Sequence, residues 1–131
     1  MTFEAFPLVD GEFELDAQGE DLWRQASPSH LEQDGTLSYL IFRPTTVDDR
    51  KLSVFRGSSM SAQQAYENRV DLGRESLGTL SVSVGQVRNE AHLRAVDDAA
   101  LPDRPSGHAY VDFRGLTKRE AKTAAVNRED P

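Results

Sequence analysis

Cysteine is absent from this chain of 131 residues. That excludes disulfides, thiolate catalysis, Cys-ligated zinc and iron–sulfur clusters together. No stretch approaches the ~18 apolar residues of a membrane span. The start Met-Thr-Phe-Glu-Ala has neither the basic nor the apolar segment of a signal peptide, so the expected compartment is cytoplasmic, with no membrane partner. Lysine is scarce, twelve of the 15 basic residues being arginine. Basic residues are wholly missing from the first 22 positions.

That segment instead carries Glu4, Asp10, Glu12, Glu14, Asp16, Glu20 and Asp21. These are 7 of the 22 acidic residues, and the remaining 15 equal the 15 Lys and Arg, so the net charge of -7 lies at one extremity. A one-signed segment favours a cationic partner and repels nucleic-acid phosphate and anionic lipid. The length fits one domain able to bury roughly two-thirds of its unfolded surface. The expected division is an acidic arm over 1–22 and a single domain over 23–131.

Periodicity supplies the elements. Phe13 and Leu15 alternate with Glu12, Glu14 and Asp16, a spacing of two that predicts a short edge strand with one wet face. Leu37–Arg43 is rich in β-favouring residues and stops at Pro44. Leu52–Arg56 predicts another strand, closed by Gly57-Ser58-Ser59. Over Gly78–Val87, Leu80, Val82 and Val84 face one way and Thr79, Ser81 and Ser83 the other. Residues 88–106 read as loop, with a helical turn or two at Asn89–Val96. Ala109, Val111 and Phe113 then alternate with His108, Tyr110, Asp112 and Arg114. Ser61 followed by Gln64 is a capping box that opens a helix ended by Gly73, and Thr117 with Glu120 repeats the signature. The expected fold is α+β: four to five mostly antiparallel or mixed strands with two helices packed on one face.

Few residues form a chemical pattern. His108, Tyr110, Asp112 and Arg114 share one side of a strand, with successive members ~7 Å apart, too far for a direct His108–Asp112 hydrogen bond. As a general-base site this face needs a nucleophile from a neighbouring strand, such as Ser81 or Ser83. Otherwise it is the wet or helix-covered face of an antiparallel strand. Arg56-Gly57-Ser58 before the Ser61 cap offers backbone N–H groups to an anion, though every capped helix does so weakly. His30, His92 and His108 show no metal-ligand spacing, and Asp97, Asp98 and Asp103 lack a calcium-loop pattern. Neither a metal nor a cofactor is expected, and isolated arginines give no basic patch for nucleic acid.

A resemblance adds to this. Trp23-Arg24-Gln25 near Ser27-Pro28-Ser29-His30, Phe42-Arg43-Pro44, Leu52-Ser53-Val54 with Arg56, the Ala62–Ala65 helix, Ser81–Gly85, and Pro102-Asp103 before His108–Phe113 together resemble a group of small uncharacterised bacterial proteins. Those are similar to proteins found beside toxin–antitoxin, phage-defence or mobile-element genes. The resemblance implies no agreed activity and no catalytic residue. The order of elements is also similar to the RES and ADP-ribosyltransferase type of NAD-binding fold, without its H-G-T-like segment or its catalytic Glu.

Two functions follow as expectations. The first is a non-enzymatic protein-binding module of immunity, antitoxin or accessory type. Its acids Glu12, Glu14, Asp16, Glu20 and Asp21 would engage a cationic protein, with Phe6, Phe13 and Trp23 as apolar anchors. The second is a small NAD- or nucleotide-binding enzyme using Arg24, Arg43, Arg56, Ser58, His108 and Asp112 for an anion. A third possibility is a self-associating structural protein whose arm pairs across a homo-oligomer.

Overall fold

The computed structural model describes residues 6–26, 33–34, 51–90 and 93–115. The predicted strand at Leu37–Arg43, the Ser27–His30 turn, the helix expected from Thr117, and Arg43, His30 and His92 lie outside these residues. In chain order the described elements are β1 (Phe13–Glu14), β2 (Asp21–Ala26), β3 (Lys51–Arg56), α1 (Ala62–Asp71), β4 (Gly78–Ser83), α2 (Val84–Asn89), β5 (Arg94–Asp97) and β6 (His108–Asp112). The strands form one open sheet, order β1-β5-β6-β3-β2-β4, with every pairing antiparallel. The α+β class agrees with expectation, while six described strands exceed the four to five expected.

Register assigns the faces. Leu22 lies opposite Val82, Leu52 opposite Val111, Val54 opposite Ala109, and Ala95 opposite Val111 on its other side. Alternation therefore puts these side chains on one face, where they join Leu15, Val84, Val87, Leu93 and Phe113 in a single core cluster. Each fully buried Leu or Val contributes about 1.5–3 kcal/mol through its removal from water.

The helix α2 packs on this core face through Val84 and Val87. The helix α1 lies on the other face, where Trp23 Nε1 donates to the Met60 carbonyl (2.9 Å) and Thr79 Oγ1 to the Ala62 carbonyl (3.4 Å). The two described helices thus sit on opposite sides of the sheet, and the second helix expected beside α1, from Thr117, lies outside the described residues. Among the described residues no helix is long and apolar enough to cross a membrane.

Local chemistry explains where the elements stop. The α1 capping box forms as expected: Ser61 Oγ accepts from Gln64 N (3.1 Å) and Gln64 Oε1 from Ser61 N (2.8 Å). Gly73 follows at φ 77°, the left-handed conformation that ends many helices. The expected strand Gly78–Val87 ends four residues early. Ser83 and Gln86 form a second capping box, which turns the chain into α2. Val82 and Val84 still face the core across that change.

Two strands were not expected. β2, Asp-Leu-Trp-Arg-Gln-Ala, is central in the sheet, and β5, within the supposed 88–106 loop, is buried along its whole length. The boundary between arm and domain falls inside β2. Leu15 and Leu22 are core residues, so the described part of the acidic segment is woven into the domain.

Candidate functional site

Two of the sequence expectations meet each other in the structure. The Arg56–Ser58 turn was an anion-site candidate, and Glu20 was a carboxylate for a cationic partner. Glu20 occupies that turn. Its Oε1 accepts from Arg56 Nη2 (2.8 Å), and its Oε2 from Arg56 Nε (2.8 Å), Ser58 Oγ (2.7 Å) and Ser58 N (3.3 Å). Asp97 takes the remaining Arg56 nitrogen at 2.8 Å. The Arg56 guanidinium holds the Glu20 carboxyl below its ordinary pKa, and Glu20 in turn raises that of Arg56. Gly57 permits the geometry, because a Cβ there would come within 2.8 Å of the Asp21 carbonyl. Arg56 and Ser58 thus hold the chain's own anion, and Glu20 its own cation.

Asp112 has a similar fate. It is fully buried and accepts from Arg94 Nε (2.9 Å), Arg114 Nε (2.9 Å), Arg114 Nη2 (3.0 Å) and Arg114 N (3.0 Å). Burial alone would raise its pKa, but Arg114 and Arg94 outweigh that and keep it low. Phe6 belongs to this cluster, its carbonyl accepting from Arg94 (2.7 Å) and its ring lying 5.0 Å from the Arg114 guanidinium. Glu12 accepts from the Tyr110 hydroxyl at 2.7 Å, and burial with that bond pushes the phenol up. The Tyr110–Arg114 end of the face is therefore covered by residues 6–12 rather than by a helix. Asp112 does not offer itself to a ligand. Of the expected partner-binding set, Phe13, Glu14, Asp16 and Asp21 remain exposed.

The remaining residues build a cleft on the α1 face. Trp23 of β2 lies opposite Phe55 of β3, and Phe55 lies opposite His108 of β6. Three rings thus stand side by side across three strands, each step about 5 Å. The Phe55 and His108 rings meet edge to face, with centroids 5.7 Å apart. One wall is the end of α1 with Asn68, Arg69, Leu72 and then Arg74; the other is the loop carrying Asp98, Asp103, Arg104 and Pro105. The enclosed volume is about 640 Å³, within the range of small-molecule sites.

Five cationic side chains, Arg24, Lys51, Arg69, Arg74 and Arg104, line the cleft against two carboxylates, Asp98 and Asp103. Arg104 pairs with Asp98 (3.0 Å), and Arg24 donates to the Ser53 carbonyl (3.2 Å). The others form no ion pair with a described residue. Lys51 Nζ sits 5.1 Å over the Tyr110 ring, and Arg69 donates only to the Glu75 carbonyl (3.1 Å). Burial and then the like charge of Arg74 lower the pKa of Arg69. An anion placed between these two would relieve that repulsion.

Sequence reasoning identified Trp23, Arg24 and His108, and the structure brings these to one cleft. It missed Lys51, Phe55, Arg69, Arg74 and Arg104, none of which belongs to a local motif. Among the described residues no group of three or more His, Asp or Glu side chains could hold a metal ion.

Fold and site together define an open antiparallel sheet bearing an aromatic-floored, cationic cleft. No protein family, curated protein or solved structure matches the chain. The resemblance carried by Trp23–Gly115 accordingly gains no relative from these comparisons.

Proposed function

We propose that the protein is a nucleotide-binding domain, its ligand a flat ring joined to phosphate and held in the α1-face cleft. One observation carries this reading. The Trp23–Phe55–His108 row shares one cleft with Lys51, Arg69 and Arg74, cations with no carboxylate partner among the described residues. Aromatic floors suit bases because every base has a π-face, each stacked base being worth about 1–3 kcal/mol. The cations suit phosphate. A single nucleotide fits both the volume and the protein's overall charge, since a net charge of -7 repels a long polyanion.

Calorimetric titration of the full chain with AMP, adenosine and inorganic phosphate tests the reading. AMP should bind at least about tenfold more tightly than either fragment, as expected when stacking and charge both contribute. Equal affinity for AMP and phosphate would remove the aromatic floor from the account, and no binding of any would remove the function.

A second reading keeps the acidic segment as a docking surface for a cationic protein of immunity, antitoxin or accessory type. It is favoured by Phe13, 52% exposed on the edge strand β1, beside exposed Glu14, Asp16 and Asp21. Capture of a basic partner that is lost in a Glu14→Lys, Asp16→Lys, Asp21→Lys variant would select it.

A further inference from the structure

We infer that the cleft is also a reaction site, in which His108, oriented by Asp98, acts as general base in the hydrolysis of a nucleotide phosphodiester. This inference rests on the nucleotide-binding reading and adds an activity to it.

The geometry begins with the loop after β5. Leu101 N donates to the Asp98 carbonyl (3.0 Å), Arg104 N to the Leu101 carbonyl (3.3 Å), and His108 N to the Pro105 carbonyl (3.1 Å). These bonds fold the loop back so that Asp98 meets His108. The Asp98 carboxylate, 3% exposed, is 2.5 Å from His108 Nδ1 and 3.0 Å from Arg104 Nε. Burial alone would raise the Asp98 pKa, but His108 and Arg104 outweigh it and hold the carboxyl low. An ionised carboxylate accepts only, so the hydrogen of this contact sits on Nδ1, and Nε2 is the ring nitrogen left for a proton transfer. Phe55, edge-on, fixes the ring from another side. No hydrogen bond joins Nε2 to a described residue, and His108 lines the cleft.

In the reaction, Nε2 takes a proton from water as the water oxygen bonds to phosphorus. The phosphorus–oxygen bond to the leaving alcohol breaks, and that oxygen recovers the proton from Nε2. Charge on the non-bridging oxygens is offset by the cleft cations. The charged groups around His108 in the cleft are Asp98, Asp103 and Arg104 from the loop, Lys51 from β3, Arg24 from β2, Arg69 from α1, and Arg74 just beyond it. Asp98 is a positioning residue: it acts through His108 and does not itself meet the reacting atoms.

The probe is the p-nitrophenyl ester of thymidine 5′-phosphate, with release of nitrophenolate followed beside AMP binding on the same full-length samples. Wild type should turn over. His108→Gln, which preserves a polar side chain of similar size, and His108→Ala should each lose about 100-fold or more, the usual worth of a general base. His108→Gln should melt close to wild type. Asp98→Asn should turn over more slowly while binding AMP and melting close to wild type, and Asp98→Glu, which restores the carboxylate, should recover part of the rate; a loop clasp alone predicts no loss of rate in a folded, AMP-binding protein. AMP binding without wild-type turnover overturns the activity and leaves the binding reading intact. Turnover surviving in His108→Gln, or an undiminished rate in Asp98→Asn, also overturns it. If AMP does not bind at all, the binding reading fails and this inference fails with it.

Discussion

Arg56 and Arg74 are the same residue type on the same small sheet protein, yet their surroundings are opposites. Arg56 is gripped by Glu20 and Asp97 at 2.8 Å each, and at the far end of β6 Asp112 is likewise enclosed by Arg94 and Arg114. Arg74 lines the cleft close enough to Arg69 to lower the pKa of that guanidinium, and it forms no ion pair with a described residue. Charges paired within the chain hold strands in place, whereas like charges gathered at a cavity wall are held together by the fold at a cost. An arginine closed off by the chain's own carboxylates is thereby told apart from one left facing a cavity, which composition alone does not do.

The largest expected effect lies among the paired charges. Asp112→Ala leaves Arg94 and Arg114 buried beside a missing carboxylate and should cost about 3–5 kcal/mol in urea unfolding. A loss under 1 kcal/mol would mean that the cluster is solvated and the contrast false. Next is Glu20→Gln, which keeps one acceptor but removes the charge facing Arg56. It should cost about 1.5–3 kcal/mol, the range for hydrogen bonds to charged groups.

The internally paired carboxylates should respond to acid. Glu20, Asp98 and Asp112 all have pKa values lowered by folding. The unfolded chain therefore binds their protons first as pH falls. Their contribution is complete above the ordinary carboxylate range, about pH 4, and declines as pH drops through it toward the folded values. Urea midpoints at pH 7, 5, 4 and 3 should hold between the first two and fall at the last two. At the other extreme, Arg74→Ala should change stability by no more than about 0.5 kcal/mol, as for an ordinary surface position, while weakening AMP binding. A large loss of stability would place Arg74 with Arg56.

The sequence made α1, β3 and β6 legible because their signals are local: Ser61 and Gln64 sit three residues apart, and Ala109, Val111 and Phe113 alternate. It hid β5 because Arg94 and Asp97 look like loop residues until their partners, Asp112 and Arg56, are brought alongside by the sheet. The start of α2 was written in the same Ser-x-x-Gln code as α1, but unbroken alternation across Val82 and Val84 masked it. The candidate site divides the same way. His108 stood out as a chemical side chain, whereas its partner Asp98 and the ring of Phe55 reach it through pairings that no linear spacing encodes. The Glu20–Arg56 bond, 36 residues apart, is why a carboxylate read as a docking charge is an internal one.

Trp23, the single tryptophan, lies on the floor of the cleft and reports on it directly. Its fluorescence should change saturably as AMP is added to wild type, and the same change should require at least about tenfold more AMP in an Arg69→Ala, Arg74→Ala variant of unchanged stability. A flat titration in wild type, or identical curves for the two proteins, would contradict the assignment of those unpaired cations to a ligand.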